Sequence, residues 1–162
     1  MSTAIGKRWA ADGRLRREHE GVYTLGHPGD SPANVYMSAV LAAGSGAFLS
    51  HEPATYLLRI VRRAPPAPEV TIASRTAAGG GDPHHRSTLP VLDVAQLQCV
   101  PITIAPRVLL DLASRLPPEK LARACDGAWV HQRVTPGQIE ACIARNPHKP
   151  GAAKLRVAPA AT

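Results

Sequence analysis

The sequence predicts an α+β fold: a helix end and a basic hairpin, then a small mixed α/β domain, finished by a helical subdomain. Three observations carry this. Short extended runs bounded by Gly and Pro occur before residue 26 and again between residues 69 and 104. From Pro106 onward the apolar residues instead recur at helical spacing, in blocks cut by prolines. Hydrophobic residues make up 44% of the 162-residue chain, enough for one ordinary core or two small ones.

In chain order, Asp12-Gly13 reads as a helix stop, and Leu15–Glu18 and Val22–Leu25 as two short strands around His19-Glu20-Gly21. Ser31-Pro32 opens a helix, with Ser as cap and Pro in the first turn; Tyr36, Met37, Val40 and Leu41 form its apolar stripe and Gly44 ends it. Ser50 caps a second short helix that buries Leu57 and Leu58, and the proline-rich stretch from Arg62 to Pro68 is a connector. Glu69–Ala73 is a strand, Ala77–Pro83 a glycine-rich hairpin linker, and His84–Leu89 a strand pairing back. Val100–Ile104 is extended, and Pro101 places it at a sheet edge.

The last third is helical. One helix starts at Pro106 with Leu109, Leu112, Ala113 and Leu116 on its apolar face, and Pro117-Pro118 breaks it. A second buries Leu121, Ala124, Cys125, Ala128 and Trp129. Thr135-Pro136-Gly137-Gln138 is a capping box opening a third, which buries Ile139, Cys142 and Ile143, and Ala152–Val157 begins a fourth.

The formal net charge is +7, and it is uneven. Residues 7–17 carry Lys7, Arg8, Arg14, Arg16 and Arg17 against Asp12 alone; residues 145–156 carry Arg145, Lys149, Lys154 and Arg156 with no acid. A basic helix end followed by a basic hairpin is how a winged helix meets phosphates, so Lys7, Arg8, Arg14, Arg16 and Arg17 are the expected DNA-binding residues. No apolar leader follows Met1, no stretch approaches a membrane span, and three unpaired cysteines do not make a disulfide framework. The expectation is a cytoplasmic protein with no membrane partner.

Catalytic signatures are missing from the sequence. His84-His85 beside Asp82 invites a metal, but neighbouring strand residues point to opposite faces, so loop or strand-end histidines are expected and no metal site. Gly79-Gly80-Gly81 lacks the Gly-Lys-Ser/Thr of a phosphate loop. Cys125 and Cys142 read as core packing, Asp111 as a partly buried acid satisfied by Arg107 one turn earlier, and Ser50-His51 as a cap rather than a nucleophile and base. The expectation is a non-enzyme with no catalytic residues and no cofactor.

The segment Gly13-Arg14-Leu15-Arg16-Arg17-Glu18-His19-Glu20-Gly21-Val22-Tyr23-Thr24-Leu25-Gly26-His27-Pro28 resembles the wing of AbiEi-type antitoxins of type IV toxin–antitoxin systems, a region also found fused to Vsr-like endonuclease domains. Leu41–His51 is similar to that family's Leu-Ala-x-Gly-x-x-Ala-x-Leu-Ser-His segment, and His85-Arg86-Ser87 to its His-Arg strand. Val100-Pro101-Ile102-Thr103 and Arg107–Ala113 resemble its Pro-x-Thr and Arg-Thr-Leu-Leu-Asp-Leu-Ala blocks, and Pro150–Arg156 the segment that precedes the nuclease domain.

The resemblance implies an amino-terminal winged helix on promoter DNA and an α/β domain that helps counter a nucleotidyltransferase-like toxin. It divides the chain into a partial winged-helix element over 1–30 and an AbiEi-like α/β domain with a helical end over 31–162. It departs at Glu18 and Glu20, which stand where the family has an apolar and a basic residue, and at Leu58-Arg59, which replace a Trp-Gly. The helices that precede a wing are missing from the dozen residues before it, so either the true start lies upstream of Met1 or the DNA-binding unit is incomplete, and DNA binding is expected to be weak and non-specific. The alternative expectation is a truncated, non-catalytic remnant of an endonuclease-fused protein.

Overall fold

The structure is a computed structural model describing residues 3–25, 31–62, 66–73 and 84–158. Helix α1 (Thr3–Ala11) runs into a hairpin of β1 (Leu15–His19) and β2 (Val22–Leu25). The turn out of α1 uses Gly13 at φ +71, and the hairpin closes on Gly21 at φ +76, both conformations that glycine adopts without a Cβ clash. Gly6 lets α1 lie against the Tyr23 ring: a Cβ there would come within 3.1 Å of it. Leu15 is buried, and the hairpin packs on helix α2 (Pro32–Ala43), which joins this unit to the rest of the molecule.

Helix α2 forms where Ser31-Pro32 announces it. The Ser31 hydroxyl accepts from the Asn34 amide, and Gly44 at φ +93 closes the other end. Tyr36, Ala39 and Val40 are buried, whereas Leu41 is exposed, so the apolar face is rotated from the expected stripe. The Tyr36 hydroxyl donates to the Pro66 carbonyl at 2.9 Å, tying the helix to the connector.

A five-stranded sheet forms the centre. Its members are β3 (Ala47–Leu49), β4 (Val70–Ala73), β5 (His84–Ser87), β6 (Val94–Leu97) and β7 (Val100–Thr103), in the order β5-β4-β3-β7-β6. Strand β3 is antiparallel to β4 and parallel to β7, β4 is parallel to β5, and β6 is antiparallel to β7. With the seven helices and the separate two-stranded hairpin of the described residues, this is an α+β fold.

Two expectations about the sheet are corrected. Strand β5 runs parallel to β4, from Val70↔His84 to Ala73↔Ser87, rather than pairing back on it as expected; the glycine-rich stretch expected as a hairpin linker, within residues 74–83, lies outside the described residues. Pro101 is not at an edge, because β7 lies between β3 and β6. The β6–β7 hairpin turns on two residues, Gln98 and Cys99, both at positive φ as in a type I′ turn. The flanking pair Leu97↔Val100 exchanges hydrogen bonds, so the next pair, Gln96↔Pro101, does not, and β6 makes no demand on the missing proline N–H.

Helix α3 (His51–Leu57) leaves β3 at once, through His51 at φ 55. Ser50 occupies the cap position without a side-chain cap bond; its hydroxyl is used elsewhere. Helix α4 (Ala105–Ala113) is buried at all nine positions, in contact with α3, α5 (Pro118–Gln132), α6 (Pro136–Arg145) and α7 (Ala152–Val157). Each fully buried Leu of α4 contributes roughly 1.5–3 kcal/mol of transfer free energy. Helix α6 opens on the expected capping box, with Thr135 and Gln138 capping each other reciprocally. In α5, Leu121, Ala124, Cys125 and Ala128 are buried, but Trp129 is 47% exposed, one step past the apolar face. No helix of the described residues is long and apolar enough to cross a membrane.

Gly127 brings α5 against the end of α3: a Cβ there would lie 2.0 Å from the Ile60 carbonyl oxygen. An exposed mid-helix Gly→Ala change stabilises by about 1 kcal/mol. Gly127→Ala should instead destabilise by about 1–3 kcal/mol, because the carbonyl must move. Gly137→Ala, whose nearest neighbour is 3.9 Å away, should be neutral or stabilising. Urea unfolding of both variants checks this; equal stabilities would contradict the close approach.

Candidate functional site

The described structure holds two places where chemistry-bearing side chains gather. The first is the α1–hairpin unit. Lys7 and Arg8 are exposed on α1, Arg14 is exposed in the turn, and Arg16 and Arg17 are exposed on β1. Arg16 pairs with Glu18 at 2.9 Å, and Glu18 also accepts from Thr24. The Arg17 guanidinium reaches only the His19 carbonyl, at 3.4 Å. Among the described residues, Lys7, Arg8, Arg14 and Arg17 have no carboxylate partner. A further open cleft, about 840 Å³, has Arg59, Arg62 and His131 on its wall and no acidic side chain.

The second place is the end of the central sheet where β3 and β7 finish and β4 and β5 begin. Its base is a buried polar network around Arg107, whose side chain is 0% exposed. The Arg107 Nε donates to both oxygens of Asp111 (3.0 and 3.1 Å), Nη1 to the Thr88 carbonyl (3.1 Å) and to Asn146 Oδ1 (2.8 Å), and Nη2 to Ser87 Oγ (3.1 Å). Asp111 also takes Lys149 at 2.7 Å. Asp93, fully buried in a 3₁₀ turn over Val91–Asp93, accepts from Arg145 Nε at 2.9 Å and from the Asn146 amide, and lies 3.6 Å from Arg107 Nη1. Two buried carboxylates thus face three cations and have hydrogen-bond partners, the condition under which charge is tolerated inside.

Beside this base, Ser50, His51, Glu69, Thr71, His85 and Arg115 converge. Thr71 Oγ1 donates to Ser50 Oγ at 2.8 Å, and Ser50 Oγ is 2.9 Å from His51 Nδ1. Glu69 Oε1 is 2.6 Å from His85 Nε2 and 3.7 Å from His51 Nδ1, and Arg115 also donates to it. The two imidazole rings are tilted over each other with centroids 4.2 Å apart. Burial lowers the His51 imidazole to about 4 against the opposing pull of Asp111 and Glu69, so the ring is neutral at neutral pH. Burial works to raise the Glu69 carboxyl, but His51, Arg115 and His85 together hold it below its usual value.

The expected partnership of Asp111 with Arg107 is present. The expected core cysteines are also in place: Cys125 and Cys142 are buried, and burial pushes their thiols up to about 11 and about 12. Cys99 differs, exposed in the β6–β7 turn. Reasoning from sequence missed Asp93, Asn146, Glu69 and Arg115, which meet partners far away along the chain, as when Asn146 bonds Asp93 across 53 residues. The only local signals were the Arg107/Asp111 spacing and the histidine at Ser50-His51. No model of a known protein family matches the chain, and no curated protein matches it.

Two outcomes follow from the geometry. Arg107→Ala removes the guanidinium from buried Asp111, leaving it only Lys149, and leaves Asn146 Oδ1 without its donor, and should cost about 3–5 kcal/mol in chemical unfolding. Arg107→Lys cannot reproduce the fork to both Asp111 oxygens and should also destabilise; a fully stable Lys variant would contradict the role of the fork. A thiol reagent applied to the native protein should label exposed Cys99 readily, and buried Cys125 and Cys142 only on unfolding. Rapid labelling of all three would overturn the burial assigned to the latter pair.

Proposed function

We propose that the chain is an AbiEi-like antitoxin or transcriptional regulator that binds duplex DNA through a partial winged helix, with α1 as the groove-facing helix and the β1–β2 hairpin as the wing. One observation carries this reading: five cations are exposed on a single helix–hairpin unit, and among the described residues only Arg16 of the five meets a carboxylate. Exposed cations without a carboxylate partner are suited to phosphates, which are held by such side chains without regard to base sequence.

The order of elements, a helix followed directly by a two-stranded hairpin, is the one a wing requires. The packing of the hairpin on α2 gives it a fixed base. In the antitoxin reading, the remaining α/β body serves the same pathway as a nucleotidyltransferase-like toxin, which it helps to counter in the cytoplasm. The Arg16–Glu18 pair moderates the wing, in keeping with a low intrinsic affinity.

A mobility-shift series over salt tests DNA binding. The expected dissociation constants are on the order of 10⁻⁴ to 10⁻⁶ M with little sequence preference. Changing Arg14, Arg16 and Arg17 together to Ala should weaken binding to all sequences alike, and should flatten the log–log salt slope by about 0.9 for each phosphate no longer neutralised. Binding that survives the triple change with its salt slope intact, on one promoter or on all DNA, would place the DNA-binding surface elsewhere, for instance at the Arg59/Arg62 cleft.

A further inference from the structure

We propose that His51, Glu69 and His85 form a binding site for one divalent transition-metal ion of the zinc type. The three side chains come from three adjacent elements of the sheet end: the start of α3, the residue before β4, and β5. The topology makes the meeting unavoidable. Strand β3 ends beside the beginning of antiparallel β4, with the Ser50 amide donating to the Glu69 carbonyl at 3.0 Å, and parallel β5 begins at the same level.

One ring nitrogen of each histidine and one carboxylate oxygen of Glu69 all lie within 4.8 Å of one another. Ligand bonds of about 2.0–2.1 Å in a tetrahedral site put ligand atoms about 3.3 Å apart. The distances of 3.7 Å from His51 Nδ1 and 2.6 Å from His85 Nε2 to Glu69 Oε1 bracket that value, and the two histidines' ligand atoms lie within 4.8 Å, so relative shifts of up to about 1.5 Å close the set. The metal takes the place of the hydrogen shared between His85 and Glu69.

The donor set identifies the ion class. Two imidazoles and one carboxylate suit zinc and its neighbours in the first transition row; magnesium and calcium take oxygen donors. Three protein ligands leave a fourth position open. The His85 side chain is 40% exposed, which gives an entry path, while those of His51 and Glu69 are 6% and 16% exposed.

The surroundings are those of a held ligand set. The contact between Ser50 Oγ and His51 Nδ1, itself braced by Thr71, holds the ring in place in the ion-free protein, and Nδ1 gives up that contact when it takes the metal. His51 sits at φ 55, a left-handed conformation at the strand-to-helix turn, and strain of this kind gathers at functional sites. Arg115 competes for Glu69, so its guanidinium weakens the site for a cation.

The test uses untagged, metal-stripped protein and zinc chloride in a calorimetric titration, with native mass spectrometry for stoichiometry. The expected result is one equivalent bound, with no comparable binding of magnesium. His85→Gln and Glu69→Gln should each weaken binding by at least about tenfold, while Arg115→Gln should strengthen it. His85 lies on an edge strand and is half-exposed, so its variant should keep the wild-type circular dichroism and remain interpretable. Cobalt provides a second readout, since its ligand-field absorption reports nitrogen coordination and should disappear in His85→Gln. Absence of stoichiometric binding, or binding unchanged in both His85→Gln and Glu69→Gln, overturns the proposal; the second result would assign the metal to other imidazoles or to Cys99.

Discussion

The structure depends on a guanidinium inside its core. Arg107 lies on α4, a helix with no solvent face, and no exposed part of its side chain remains. A charge there is tolerable only if its donors are matched by oriented acceptors. Those acceptors come from Asp111 one turn on, from Ser87 and Thr88 after the sheet edge, and from Asn146 at the end of α6. The requirement to satisfy one side chain therefore fixes the edge strand, the central helix and the carboxy-terminal helices relative to each other. Asp93 extends the same constraint, since its two oxygens hold Arg145 and Asn146 and thereby seat the 3₁₀ turn before β6.

What the sequence made legible was mostly local chemistry. Ser31-Pro32 and Thr135-Pro136-Gly137-Gln138 announced their helices because a cap is a bond between residues three apart. The hairpin over residues 15–25 was visible for the same reason. Strand β3 was not, because three residues between Gly46 and a helix carry too little periodicity. Pro101 misled because the rule against proline in a sheet interior concerns a missing donor, and alternation in the β6–β7 ladder places that donor where β6 does not need it. The parallel pairing of β4 with β5 depends on a long-range return of the chain that a run of glycines does not encode.

The candidate sites divide along the same line. The cations of the α1–hairpin unit cluster in sequence, so they could be read from charge alone. The histidine–carboxylate cluster could not. Considering His84 and His85 as neighbours on one strand looked for a partner in the wrong place, because the partners of His85 lie 16 and 34 positions back, at Glu69 and His51. A single histidine of a strand pair can still serve when the sheet brings ligands from other strands to its level.

The Ser50-His51 pair shows how the same residues take a different role once their geometry is known. A serine nucleophile needs a base that receives its proton on one ring nitrogen while an acid holds the other. Here Ser50 Oγ lies 2.9 Å from His51 Nδ1, and Glu69 Oε1 lies 3.7 Å from that same nitrogen. The three cannot pass a proton in line. Ser50 is also fully buried, with its hydroxyl receiving a hydrogen bond from Thr71, so it faces the interior of the sheet rather than a substrate. What this arrangement does accomplish is to clamp an imidazole at a sharp turn between strand and helix. In the proposed metal site this ring stands beside a carboxylate and a second imidazole, and Ser50 and Thr71 hold it there until Nδ1 exchanges the Ser50 contact for the ion.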